Sequence, residues 1–435
     1  MPYEEARILC HGGGQLGDGV RPGAAKRCRL PSAIGQYHTA PKCTTQPRAP
    51  LRPAIEPAIE HERRTAVYCA AAVPDQQPQI SQSRTGKGYT VTQTHRTASL
   101  AFFNNKGGVG KTTLSCNMAS LIARETGAPV LYIDCDPQCN ATQLLLDEAH
   151  WTKIFSNRRD SSSHTILKAL RHIRAGDSTV EANVSVVRSE RFGIDVLPGH
   201  PGLSIIEDTL SASWVDLRAG VLGAARRSLW VKSLVDALDY PFVVFDLGPS
   251  LGALNRTVLV GSTHFATPIS PDLFSLYAID NIAEWMHGWL PEYGRGVHQI
   301  EQAGPNLLKE YAIPRTPSLV NGFLGYTVQQ YVARSAGADV RPVRAYDRYK
   351  RQIPKRVTQL MEWAPEQSMD PNLGVVPNMF SMVPLAQAAH APIVDLTTSD
   401  GLRGAQISQN RKYSAKLKQI GAALLSNLAL SGVKV

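Results

Sequence analysis

One stretch constrains this chain more than any other: Phe103-Asn104-Asn105-Lys106-Gly107-Gly108-Val109-Gly110-Lys111-Thr112-Thr113, which follows the apolar run Ser99 to Phe103 and opens a segment of helical periodicity. Strand, glycine-rich turn and helix start, in that order, can fold backbone N–H groups into a concave nest, and the helix dipole adds positive potential where a phosphate would sit. Gly107, Gly108, Val109 and Gly110 make the turn, Lys111 is placed to reach β- and γ-phosphates, and Thr112, followed by Thr113, is placed to offer its hydroxyl to Mg²⁺. The strict phosphate-loop spacing asks for glycine where Asn105 stands, and Lys106 adds a second lysine inside the loop.

The chain has 435 residues and 43% hydrophobic content, enough for a sizeable core. No apolar run approaches the roughly 18 residues of a spanning helix, and the first residues lack the charged-then-apolar order of a secretion signal. Both features predict a cytoplasmic protein. Seven cysteines show no zinc spacing, so reduced thiols are expected. The formal charge of +10 is unevenly spread, because residues 1–98 hold 13 Lys or Arg against 7 Asp or Glu and leave only +4 for the rest. From Met1 to about Thr97, proline, glycine, arginine and glutamine recur without period, which predicts a disordered basic extension, residues 1–97, ahead of a folded domain, residues 98–435.

In that domain apolar runs alternate with amphipathic segments, the pattern of an α/β fold with a mostly parallel sheet and helices on both faces. A helix is expected over Lys111 to Thr126 and a strand over Val130 to Asp134. A helical segment near Thr165 to Ala175 and a strand over Ile194 to Leu197 follow. Leu229, Leu234, Val235 and Leu238 mark a helix ahead of the strand Phe242 to Phe245. Further strands are expected over Phe265 to Ile269 and Pro317 to Phe323, with a helix between them. Asp134-Cys135-Asp136-Pro137 lies just past a buried strand, at the carboxyl edge where α/β sheets bind ligands. Asp before Pro is also a common helix cap, so Asp136 has a structural reading beside a chemical one. Asp246 ends an apolar strand in the manner of a Walker B acid, a position suited to a Mg²⁺-bound water.

The loop with its extra lysine resembles the deviant Walker A group, the ParA-type partition ATPases and their relatives, and so implies a P-loop NTPase type of fold. Asp134 to Thr142 is similar to that family's second motif, and Gly374-Val375-Val376-Pro377 with Val383 to Ala388 is similar to its nucleotide-facing loop. The resemblance implies a slow ATPase using ATP and Mg²⁺. It implies that Lys106 crosses a nucleotide-sandwich homodimer to the partner's phosphates, that Asp136 positions the attacking water and helps order Mg²⁺, and that Asn321 and Pro377 lie near the adenine. It further implies nucleoid association through non-specific DNA, and a centromere-binding partner that stimulates hydrolysis. Leu247-Gly248 departs from the pair usual after the Walker B acid, and the segment from Asn281 to Pro317 is longer than the family pattern leads one to expect.

Arg341, Arg344, Arg348, Lys350, Arg351, Lys355 and Arg356 crowd into sixteen residues, opposed by Asp347. On a helix from about Val343, positions 344, 348, 351 and 355 share a face, which makes Arg344, Arg348, Arg351 and Lys355 the candidate phosphate-tracking stripe. A solvated helix face is the plainer reading. Nothing in the sequence ties this stripe to the nucleotide loop, so ATPase activity without DNA is expected to persist when the stripe is altered. A rival function, a MinD-like membrane-associated positioning switch, would use the C-terminal stripe Tyr413, Leu417, Ile420, Leu424 and Leu428; at that spacing a helix packed on the sheet is expected instead.

Overall fold

A computed structural model describes residues 97–156, 164–330, 344–379 and 381–435. The basic N-terminal stretch and Arg341 lie outside the described residues. The chain runs β1 (Ala98–Phe102), α1 (Lys111–Thr126), β2 (Val130–Asp134), α2 (Asn140–Leu145), α3 (Glu148–Ser156), α4 (Ile166–Ala169), α5 (Arg171–Arg174), β3 (Val187–Ser189) and β4 (Ile194–Leu197). It continues through α6 (Leu203–Arg218), α7 (Leu222–Ser228), α8 (Trp230–Leu238), β5 (Phe242–Asp246), α9 (Ala253–Gly261), β6 (His264–Ile269), α10 (Leu273–Ala303) and α11 (Leu307–Glu310). The last elements are β7 (Phe323–Gln329), α12 (Arg344–Val357), β8 (Asn372–Val376), α13 (Met382–Ala389) and α14 (Ala405–Leu430).

Among the described residues the strands form one sheet in the order β3-β4-β2-β5-β1-β6-β7-β8. Every neighbouring pair is parallel except β3 with β4. The central strands read as unbroken apolar runs because both sheet faces are covered. Ala101, Leu131, Ile133, Val243 and Phe245 enter one core, with α6 to α10 and α12, whereas Leu100, Phe102, Tyr132, Phe242 and Val244 enter the other, with α1 and α14. Two polar side chains are buried there with partners: the Tyr132 hydroxyl lies 2.6 Å from Ser115 Oγ, and Trp230 Nε1 donates to Thr257 Oγ1 at 2.9 Å.

The C-terminal stripe is core. Tyr413, Leu417, Ile420, Leu424 and Leu428 are buried on α14 in the face that α1, β7 and β8 share, so those side chains are not available to a membrane. No helix among the described residues is long and apolar enough to cross one.

The helical segment Thr165 to Ala175 consists of two single-turn helices, α4 and α5, joined at buried Leu170 (φ −94°, ψ 4°). One expectation needs correction. The strand expected over Pro317 to Phe323 instead begins at Phe323, after a 3₁₀ turn at Ser318–Asn321. Pro317 lacks an N–H for the ladder and its carbonyl starts the turn by accepting Val320 N. Gly322 then passes so near β6 that a Cβ there would sit 2.2 Å from the Thr263 carbonyl oxygen. The long segment after Asn281 belongs mostly to α10, a helix of 31 residues.

His264 ties α14 to the sheet. Its Nδ1 lies 2.7 Å from Thr263 Oγ1 and its Nε2 lies 2.8 Å from Ser431 Oγ. Burial pushes its imidazole down to about 4. The unfolded imidazole takes up a proton near 6.5, so the neutral form stabilises the fold fully above that pH, and this stability is lost as pH falls toward 4. Wild type should therefore lose about 2 kcal/mol relative to His264→Gln between pH 7 and pH 4.5, read from urea unfolding at each pH. A stability difference that does not change with pH would contradict this assignment.

Candidate functional site

The parallel register decides which residues meet. Asp134 at the end of β2 pairs with Asp246 at the end of β5, and Asp246 pairs with Phe102 at the end of β1. The loop that leaves β1 therefore starts beside both acids. Gly110 takes φ +74° and is the N-cap of α1, with no side chain capping the helix, so the first N–H groups of α1 remain for a ligand. Gly108 is also left-handed at φ +73°, whereas Gly107 is not among the positive-φ glycines. Asn104 fixes the start of the loop: its Nδ2 donates to the Pro268 carbonyl at 2.8 Å, and its Oδ1 accepts Lys106 N at 2.8 Å.

Beneath the loop lies a buried charge cluster. Thr112 Oγ1 donates to Asp246 Oδ2 at 2.7 Å. Asp246 Oδ1 is buried without a hydrogen-bond partner. Burial, with Asp134 next, pushes the Asp246 carboxyl well above the usual carboxylate range. Lys111 Nζ donates to the Lys106 carbonyl at 3.2 Å. Burial pulls its ammonium below the ordinary lysine value, and Asp246 and Asp136 oppose that pull.

The two acids of the second motif differ in occupation. Asp134 accepts three donors, from Asp136 N (3.2 Å), Thr142 N (2.8 Å) and Thr142 Oγ1 (2.7 Å), and burial still raises its carboxyl to about 6. It organises the loop. Asp136 accepts one bond, from Gln138 N at 3.0 Å through Oδ1. The helix-cap reading does not describe it, because α2 starts at Asn140 and is preceded by Cys139 in the left-handed region (φ 55°). Burial raises the Cys135 and Cys139 thiols above the ordinary cysteine value.

Beside the loop opens a cavity of about 630 Å³ lined by Gly108, Gly110, Thr113, Asp272, Tyr349 and Pro377, among others. Pro377 and Thr113 thus lie in its wall, and Val109 is held near it where its carbonyl accepts Gln329 Nε2 at 2.9 Å. Asn321 is not brought here. It sits on the turn before β7, at the amino edge of the sheet, while Gln329 at the other end of that strand, roughly 20 Å away at 3.3 Å per residue, reaches the loop.

The basic stripe lies on α12, as the spacing predicted. Arg348, Arg351 and Lys355 are exposed, and Arg344 opens the helix, its side chain outside the described set. Ile353 and Val357 are buried, and Arg356 pairs with Asp280 of α10. Tyr349 of the same helix, which is not one of the stripe residues, lines the cavity.

The residues present fit a hard dication held together with a phosphate. Asp246 has a buried oxygen with no partner and Thr112 a hydroxyl next to it, whereas no cluster of three or more His, Cys, Asp or Glu suited to an all-protein metal cage occurs among the described residues.

A family model described as an AAA domain matches residues 97–288. The chain is 26% identical over 186 residues to the virulence plasmid ParA family protein pGP5-D of Chlamydia psittaci, covering 43% of this chain and 62% of that protein. It is 28% identical over 187 residues to the chromosome partitioning protein ParA of Caulobacter vibrioides, covering 42% and 60%. The chain thus spans about three fifths of the length of these curated relatives. A crystal structure of protein DIP2308 from Corynebacterium diphtheriae is similar, with 33% identity, a TM-score of 0.61, and coverage of 76% of this chain and 98% of that one.

Sequence reasoning missed Gln329, Asp272 and Tyr349. Asp272 carried a local signal, an acid three residues before Ser275 at the head of a periodic run; Gln329 and Tyr349 carried none, since only strand order and helix docking bring them in. The loop glycines can be tested directly. A Cβ at Gly110 would lie 2.8 Å from Gln329 Nε2, whereas one at Gly108 meets nothing within 4 Å. Both Gly108→Ala and Gly110→Ala should lose about 1–2 kcal/mol of stability from the left-handed backbone, with Gly110→Ala losing more, as measured by denaturant unfolding. Equal losses would remove the Gln329 contact from the account.

Proposed function

We propose that this chain is a ParA-type P-loop ATPase, which hydrolyses Mg-ATP slowly and uses the ATP-bound homodimer to hold DNA non-specifically during partition of a plasmid or chromosome; the match of residues 97–288 to an AAA-domain model and the likeness to ParA proteins support this. One observation carries the reading: the two-lysine loop stands over a buried acid, Asp246, which accepts the Thr112 hydroxyl and keeps its other oxygen free of protein donors. In this reading the N–H groups at the head of α1 and Lys111 bind the β- and γ-phosphates, and Thr112 with Asp246 holds Mg²⁺. When bound there, Mg²⁺ would supply positive charge that neutralises the phosphates during transfer. Asp136, with one oxygen taken by Gln138 N, has the other for orienting the attacking water. Lys106 serves the partner subunit's nucleotide, and Pro377 and Tyr349 enclose the base.

The exposed cations of α12 support DNA phosphates as the surface ligand, and Tyr349 on the same helix gives the nucleotide a route to influence them. A centromere-binding protein would act as the stimulating partner, and nucleoid association would follow from the DNA contact. The buried stripe of α14 favours this reading over the membrane switch.

Lys111→Ala should abolish ATP binding in equilibrium titration, since the loop loses the buried charge aimed at the phosphates. Retained micromolar affinity would refute the site. For DNA, affinity for unrelated duplexes should require ATP and fall with salt. Arg348→Ala combined with Arg351→Ala should lower the slope of log affinity against log salt by up to about four in a dimer, at roughly 0.9 per phosphate contact. An unchanged slope would return α12 to a solvated face.

A further inference from the structure

Lys106 does not project freely into the cavity. Its Nζ is held by Asp272 Oδ2 and lies 3.3 Å from Ser275 Oγ. Asp272 is itself fixed as the N-cap of α10: its Oδ1 accepts Ser275 N at 3.0 Å, and its Oδ2 accepts Ser275 Oγ at 3.2 Å. Asp272 also lines the cavity, with Gly108 and Gly110. A fixed negative charge in the wall of a polyphosphate pocket is adverse, because like charges at close range repel. Here the Lys106 ammonium neutralises it.

This arrangement makes the ammonium a contested resource. When Lys106 turns toward a phosphate, its own or a partner subunit's, the Asp272 pair is lost and the carboxylate is left uncompensated beside the anion. Both consequences oppose the movement, and both scale with the charge on Asp272. The pair is not locked: the side chains of Lys106 and Asp272 remain 28% and 36% exposed, so water screens them and a triphosphate can compete. The backbone end of Lys106 is tied as well, since its carbonyl accepts Lys111 Nζ.

We propose that Asp272 is a positioning residue for Lys106, holding its ammonium away from the phosphates until a polyanion takes it, and so setting the nucleotide concentration at which the loop lysine becomes available. The proposal rests on the nucleotide reading above and deepens it. Asp272→Asn is the informative change, because asparagine caps a helix as well as aspartate does and α10 should keep its start. In full-length protein titrated with ATP and with a non-hydrolysable ATP analogue, Asp272→Asn should bind about fivefold more tightly than wild type, the scale of a solvent-screened ion pair. In a Lys106→Ala background the same change should have a smaller effect, since only the repulsive field of the carboxylate is then removed.

An equal gain in both backgrounds would show that Asp272 acts through its field alone and would overturn the holding role. No gain, or weaker binding, from Asp272→Asn in protein that keeps Lys106 would overturn it too. If Asp272→Asn melts earlier than wild type, Asp272→Ser, another good cap without charge, takes its place with the same expected pattern. Failure of wild type to bind ATP at all would instead overturn the nucleotide reading, so the two failures are distinguishable.

Discussion

In-register parallel pairing of β2, β5 and β1 is the constraint on which the site depends. It sets Asp134, Asp246 and the end of β1 at one level of the sheet, so three loops emerge at the same point. These are central strands buried on both faces, and the acids at their ends are desolvated with them. Two carboxylates on neighbouring buried strands are costly to keep charged. Local donors offset the cost: Thr142 and the Asp136 amide serve Asp134, while Thr112 serves Asp246. One oxygen of Asp246 is left over, and a site that binds a cation with a phosphate needs such an oxygen.

Around this fixed centre, α10 and α12 carry the adjustable parts. The first turn of α10 holds the loop lysine through Asp272, and two turns later Asp280 accepts Arg356 of α12. Helix α12 in turn lends Tyr349 to the cavity and points Arg348, Arg351 and Lys355 outward. A charge change at the loop is therefore physically connected to the cationic surface by packed helices and two ion pairs. The proposed dependence of DNA contact on nucleotide would run through that continuity, without requiring the stripe and the loop to touch.

Much of the site was legible in local sequence, because local chemistry imposes it. A helix entered through glycines at positive φ needs Gly108 and Gly110 whatever surrounds it. Apolar runs ending in aspartate mark buried strands that deliver an acid to the carboxyl edge, and β2 and β5 do so. The apolar spacing of α14 already contained its packing, since a stripe of that width is buried when a sheet is available. Asn321 was misjudged for a physical reason: without knowing where β7 begins, one cannot tell which end of that strand faces the ligand.

By itself, then, the sequence determined the alternating α/β architecture, the loop, its two lysines and the acids Asp136 and Asp246, since each follows from backbone geometry or burial within a few residues. Tertiary structure alone decided that Gln329 closes the loop, that Tyr349 joins the cavity to the basic helix, and that Asp272 holds Lys106. Those contacts join residues more than 160 positions apart or on separately docked elements, and only the order of strands in the sheet and the docking of α10 and α12 bring them within hydrogen-bond range.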